Sequence, residues 1–153
     1  FGYGTEKFMQ NAQLSGVNGI IVPDLLPESD PDYNKFAEKY GIDTIFLVTP
    51  LTKEERIKMI LKYCKGFLYL TAIVGITGER KDLNRELADL TKKIRNNCEI
   101  PVCIGFGIST PEQVKEVSDF ADGVIVGSAI VKKVIDNASP IDFTKLLFNG
   151  LKK

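Results

Sequence analysis

Short apolar, β-branched runs alternate with amphipathic stretches along the whole chain, one pair roughly every 25–30 residues. That alternation limits the fold more than any other feature. The runs are Gly19–Pro23, Thr44–Val48, Phe67–Thr71, Val102–Gly105 and Val124–Val126. Strands with one wet face alternate apolar and polar residues, whereas nearly continuous apolar runs suit parallel strands buried on both faces. Strand–helix alternation then implies a parallel sheet with right-handed crossovers. The helices carry start signals of their own. Thr52-Lys53-Glu54-Glu55 and Thr110-Pro111-Glu112-Gln113 both read as capping boxes, the second with proline at the first helical position. Asp30-Pro31 and Ser139-Pro140 open two further helices, and Asp82 opens a longer one with Leu83, Leu87, Leu90 and Ile94 on one stripe. A first helix begins at Gly4–Phe8, with Phe8, Ala12 and Leu14 as its core-facing residues.

The expected order is therefore one helix followed by five strand–helix units, in a single domain spanning residues 1–153. Two α/β architectures fit it. One is a complete five-stranded doubly wound sheet. The other is a partial TIM (β/α)8 barrel, five of the eight strands of a unit that takes about 250 residues. The chain opens at Phe1 in the middle of a helical pattern, which leads us to expect further sequence upstream.

Composition excludes several function classes. Twenty Lys and Arg balance twenty Asp and Glu, so no bulk positive field marks a nucleic-acid or anionic-membrane partner. No apolar run reaches the length of a membrane span, and the reading is of a cytoplasmic protein. Cys64, Cys98 and Cys103 are odd in number and lack CxxC spacing, which suits reduced thiols better than disulfides or a metal site. Histidine is absent, so Ser-His and Cys-His nucleophiles and histidine metal sites are ruled out together.

The candidate chemistry lies at the ends of the strands. Gly105-Phe106-Gly107-Ile108-Ser109-Thr110 and Gly123-Val124-Ile125-Val126-Gly127-Ser128 each run from a strand through glycine into a helix start. Backbone N–H groups at such turns approach an anion closely, and the helix adds the positive end of its dipole. Two consecutive turns of this kind make a phosphate cradle, which in (β/α)8 barrels typically follows strands seven and eight. Gly75-Ile76-Thr77-Gly78 is a third glycine turn, opening a polar loop suited to closing over a ligand. Each turn alone also reads as a plain turn, and Ser128 also reads as a helix N-cap. Asp24 follows the first strand and falls on the same face, but Asp24-Leu25-Leu26-Pro27-Glu28 reads equally well as a polar loop. Tyr69 and Cys103 are most simply core residues.

Gly75–Gly78, Gly105–Gln113 and Asp122–Val131, with Ile21–Leu25 and Leu47–Pro50, closely resemble the tryptophan synthase alpha subunit family over essentially the whole chain. The resemblance implies a (β/α)8 barrel that cleaves indole-3-glycerol phosphate to indole and glyceraldehyde 3-phosphate. It also implies a beta subunit as partner and no cofactor of the chain's own. Carried over by position, Gly78, Gly107, Gly127 and Ser128 would hold the substrate phosphate. Ile21, Leu47, Tyr69, Thr77, Phe106 and Ile125 would line the substrate pocket, Thr77 on the closing loop. The family's acid–base glutamate and aspartate come from its second strand and the loop after it. This chain aligns from the helix after the third strand onward, so the resemblance places no catalytic residue in it, and the chain alone is expected to be inactive. Two other readings stand beside this one: a non-catalytic phosphate- or partner-binding half-barrel, and another phosphate-handling barrel enzyme. Five parallel strands taken from a barrel would leave two open edges, so marginal stability or association is also expected.

Overall fold

The computed structural model describes residues 2–71, 80–105 and 107–151. Helix α1 (Thr5–Leu14) leads into strand β1 (Gly19–Ile21), helix α2 (Pro31–Lys39) and strands β2 (Asp43–Ile45) and β3 (Leu47–Val48). Helix α3 (Glu54–Leu61), β4 (Leu68–Thr71), α4 (Arg80–Arg95), β5 (Val102–Gly105) and α5 (Pro111–Ser118) follow. The chain continues through β6 (Gly123–Val124), α6 (Ser128–Ile135), α7 (Pro140–Phe148) and a 3-10 turn at Asn149–Leu151. No helix among the described residues is long and apolar enough to cross a membrane.

Among the described residues every strand pairing is parallel and follows chain order, β1 beside β2 in one sheet and β3, β4, β5 and β6 in the other. A doubly wound sheet reverses its strand order at a switch point; the described strands never do. Burial gives a second argument. Val48, Leu68, Leu70, Val102 and Ile104 are sealed into the core with Met9, Ile57, Leu87, Ile94 and Val114 of the helices. The alternate residues Leu47, Tyr69, Thr71 and Cys103 are only half-buried, as expected where one face of the sheet carries the helices and the other faces a barrel interior. The arrangement is that of a partial (β/α)8 barrel, and the doubly wound alternative is excluded.

Several local expectations need correction. The second expected strand, Thr44–Val48, is broken at Phe46. Its first half pairs with β1 on one side, its second half with β4 on the other, and Phe46 still accepts a 3.0 Å hydrogen bond from Tyr69 N–H. This stagger is the register shift that barrel strands require. The first strand ends at Ile21, before Pro23, which has no N–H to give a ladder. The last shortens to Gly123–Val124, although Ile125 N–H continues the pairing to Ile104 O at 2.8 Å.

Thr52 does not cap α3. Its hydroxyl instead accepts from Thr49 N–H at 2.9 Å and closes a turn, and α3 starts from Lys53 with no side-chain cap. The longer helix begins at Arg80 and not Asp82. In α1 the buried residue is Met9, with Ala12 packed against the core, while Phe8 and Leu14 are exposed. The other cap signals hold. Asp30 accepts from the N–H groups of Asp32 and Tyr33, Ser139 accepts from Asp142 N–H, and Thr110 and Gln113 form a reciprocal box. Among the cysteines, burial pushes the Cys64 thiol up to about 11.

Candidate functional site

The parallel register sets Leu47 beside Tyr69, Tyr69 beside Cys103, and Cys103 beside Gly123, in one row across the interior face. One step nearer the C-terminal ends, Thr71 lies beside Gly105. Gly105 is buried, and a Cβ built there would sit 2.6 Å from Tyr69 Oη and 2.8 Å from Ile125 Cβ. Tyr69 and Ile125 thus close over a gap that only a glycine leaves open. The same crowding recurs below, where Cys103 Sγ fills the space beside Gly123. Burial, with Asp122 nearby, pushes the Cys103 thiol up, in keeping with its packing against Gly123.

Above this apolar row the chain leaves β5 through Gly107, whose φ of 56° lies in the left-handed region that favours glycine. Ile108 then plugs into the core, and α5 begins at Pro111. The N-terminus of α5 is closed by its own side chains. Gln113 Oε1 accepts from Ser109 N–H at 2.7 Å and Thr110 N–H at 3.3 Å, and Thr110 Oγ1 accepts from Gln113 N–H at 3.3 Å. Glu112 adds a carboxylate there, held below its ordinary range by its own backbone N–H and by the Thr110 hydroxyl.

Helix α6 is the opposite case. Gly127 is its N-cap, no side chain caps it, and its first turn has no acidic residue. Ser128 is therefore the first helical residue and not the N-cap that the sequence also allowed. Gly127 and Ser128 are both exposed, and nothing lies within 4 Å of a Cβ built on Gly127 or Gly107. The start of this eight-residue helix thus carries neither a side-chain cap nor a first-turn carboxylate.

Of the residues singled out from sequence, Tyr69 and Ile125 come together over Gly105, and Leu47 shares their row. Ile21 is 39% exposed at the end of β1, the edge strand of the two-stranded pairing. Leu47 also faces a groove of about 410 Å³, walled by Pro23, Leu25, Phe46 and Arg56. Thr77, Gly78 and Phe106 lie outside the described residues, as does Gly75. Asp24 is exposed on its loop. Glu28 pairs with Arg56 at 2.5 Å, and the guanidinium holds its carboxyl below the usual range. No cluster of three or more His, Cys, Asp or Glu suited to a metal occurs among the described residues.

Two contributors are not in the sequence-derived set. Gly105 was noted only as a turn glycine, yet it sets the packing of Tyr69 against Ile125. Gln113 reads from the sequence as a helix cap, which accounts for its bond from Thr110 N–H, yet it also accepts from Ser109 N–H. A glycine two residues before the turn glycine was the available signal for the first. The second depends on a side-chain direction that spacing does not specify.

The sequence profile of the tryptophan synthase alpha chain family matches residues 1–145, nearly the whole chain. The chain belongs to that family. Over 135 residues it is 50% identical to the tryptophan synthase alpha chain of Methanocaldococcus jannaschii, a match that covers 88% of this chain and 48% of that one. Over 150 residues it is 48% identical to the Clostridium beijerinckii alpha chain, covering 97% and 58%. Among solved structures, tryptophan synthase subunit alpha from Campylobacter jejuni is similar with a TM-score of 0.85 at 40% identity, covering 96% of this chain and 59% of that one. Mycobacterium tuberculosis tryptophan synthase is similar with a TM-score of 0.86 at 30% identity, covering 99% and 58%. The chain thus spans about half the length of the curated relatives it matches. Its arc of parallel strands is part of the family's barrel.

Proposed function

We propose that this chain is the phosphate-gripping part of a cytoplasmic lyase of tryptophan biosynthesis, acting on indole-3-glycerol phosphate. The observation that carries the reading is the contrast between two neighbouring helix starts. Helix α5 is closed by Gln113 and Glu112, while α6 presents uncapped N–H groups at Gly127 and Ser128 beside the apolar wall of Tyr69 and Ile125. A phosphate seated there, with Gly107 contributing, leaves an apolar body to lie along Leu47, Tyr69 and Ile125. Ile21 belongs to that wall on this reading; Gly78, Thr77 and Phe106 lie outside the described residues and enter it only by the family resemblance. The family assignment supports indole-3-glycerol phosphate, the substrate the family resemblance implies, over those of other phosphate-handling barrels.

Cleavage delivers a proton to the indole ring carbon as its bond to the glycerol chain breaks. A second proton leaves the adjacent hydroxyl, whose carbon becomes the aldehyde of glyceraldehyde 3-phosphate. Both transfers need positioned acid and base groups. Among the described residues no carboxylate stands on the interior row; Asp24 is exposed and Glu28 is paired with Arg56. On this reading the described residues bind and orient the substrate, and the isolated chain is expected not to cleave it. A beta subunit is the proposed partner, and exposed Leu26 and Leu51 on the loops after β1 and β3 give it apolar contacts at the mouth of the barrel. A phosphate-binding half-barrel is the second reading, as no carboxylate among the described residues stands on the interior row.

Titration with glycerol 3-phosphate, followed by amide NMR, tests the binding claim. Saturable shifts at Gly107, Gly127 and Ser128 support it, and shifts scattered over the surface lysines refute it. Indole released above background by the isolated chain would overturn the claim that it does not cleave.

A further inference from the structure

Gln113 does more than complete a capping box. It sits in the first turn of α5, and its side chain reaches back so that Oε1 accepts from Ser109 N–H at 2.7 Å and from Thr110 N–H at 3.3 Å, with the Ser109 hydroxyl 3.4 Å away. A residue on a regular helix thereby fixes two successive peptide groups of the preceding loop. From the other side Ile108, only 4% exposed, anchors the same loop in the core. Between these two restraints and the end of β5, Gly107 must hold its φ of 56°. Backbone donors aimed in advance at an anion pay no ordering cost when it arrives.

We propose that Gln113 is a positioning residue of the phosphate site: its side-chain oxygen holds the Ser109–Thr110 amides and so aims the Gly107 turn at the ligand. This rests on the phosphate reading above. The device also has a consequence for where the anion sits. With the α5 donors occupied internally, the phosphate is directed to α6, and α5 acts as a frame.

Calorimetric titration with glycerol 3-phosphate separates positioning from simple helix stabilisation. Gln113→Ala removes the acceptor from both loop amides. Thr110→Ala removes the other half of the same box, at a similar cost to the helix start, and leaves those two amide bonds in place. The expected result is about tenfold weaker binding for Gln113→Ala, the worth of one lost charge-assisted contact, and less than about threefold for Thr110→Ala. Gln113→Met, similar in length but without the acceptor, should behave as Gln113→Ala does. In the unliganded protein, Gln113→Ala should also shift the Gly107 amide resonance and speed hydrogen exchange at Ser109 and Thr110. Equal weakening by the two box variants, or unmoved loop amides in Gln113→Ala, overturns the proposal. If the parent chain itself binds no glycerol 3-phosphate, the phosphate reading fails first and this one falls with it.

Discussion

The interior wall is tightest at Gly105, and a single methyl group there tests the packing of the barrel face. In Gly105→Ala the new Cβ would lie 2.6 Å from Tyr69 Oη, 2.8 Å from Tyr69 Cε2 and 2.8 Å from Ile125 Cβ. Non-bonded carbons rest about 3.5–4.0 Å apart, so two of these contacts must open by roughly an ångström. The hydroxyl can swing aside. The ring carbon moves only with the whole ring, and Ile125 Cβ is attached directly to a backbone whose N–H is bonded to Ile104 O at 2.8 Å. Overpacking of this kind costs about 1–3 kcal/mol. For a chain of this size each kcal/mol lowers Tm by about 2–4 °C, so Gly105→Ala should melt roughly 2–12 °C below the parent.

Urea unfolding followed by circular dichroism gives the free energy, and a cycle with Tyr69→Leu locates the strain. Shortening Tyr69 relieves its part of the clash, so the double variant should be more stable than the sum of the two losses by at least about 0.5 kcal/mol. A Gly105→Ala chain within about 0.5 kcal/mol of the parent would refute the packing argument, as would strict additivity with Tyr69→Leu.

The acid limb of stability should depend on Asp122. Burial pushes its carboxyl up, but the Val102 N–H at 2.8 Å and the Arg95 guanidinium outweigh that and hold it below its ordinary 3.8. A depressed carboxyl stabilises the fold above the unfolded value, and that contribution is lost as pH falls through the folded value. Tm of the parent should therefore drop more steeply below about pH 4 than Tm of Asp122→Asn, and parallel curves would contradict the assignment. Cap chemistry separates two sites that look alike in sequence. Asp30→Ala should cost about 1 kcal/mol in urea unfolding because it removes the carboxylate that accepts from Asp32 N–H and shares Tyr33 N–H with the Asp30 carbonyl. In Thr52→Ala the α3 cap is unchanged, so its loss should come from the Thr49–Thr52 turn and leave the helical circular dichroism signal intact.

The strand–helix order and the parallel sheet were legible because buried parallel strands must be apolar throughout and caps have local signatures. Asp30, Thr110 and Ser139 cap helices as their sequences suggest, since each acceptor reaches only two or three residues along the chain. Thr52 failed for the opposite reason: Thr49, three residues back, offered its hydroxyl a competing turn. The break at Phe46 was not legible, because it is set by the stagger between neighbouring strands and not by any residue in the run. At the candidate site the glycine turns stood out in sequence. The closed start of α5 was legible too, as a capping box, but the open start of α6 was not, since Ser128 read equally well as its N-cap and lies one residue inside the helix. Met9 was missed because Phe8 is the larger apolar residue beside it, and only the helix phase shows which one faces inward.

The central claim is that α6 grips the phosphate, and Ser128→Glu tests it most directly. A carboxylate in the first turn of a helix is neutral or mildly stabilising, so Tm should hold or rise slightly. The same carboxylate occupies the donors that the phosphate needs and repels its charge. Calorimetric titration with glycerol 3-phosphate should therefore show saturable binding to the parent and, for a variant that melts no lower, affinity reduced by at least about tenfold. Equal affinity in the two proteins would contradict the account.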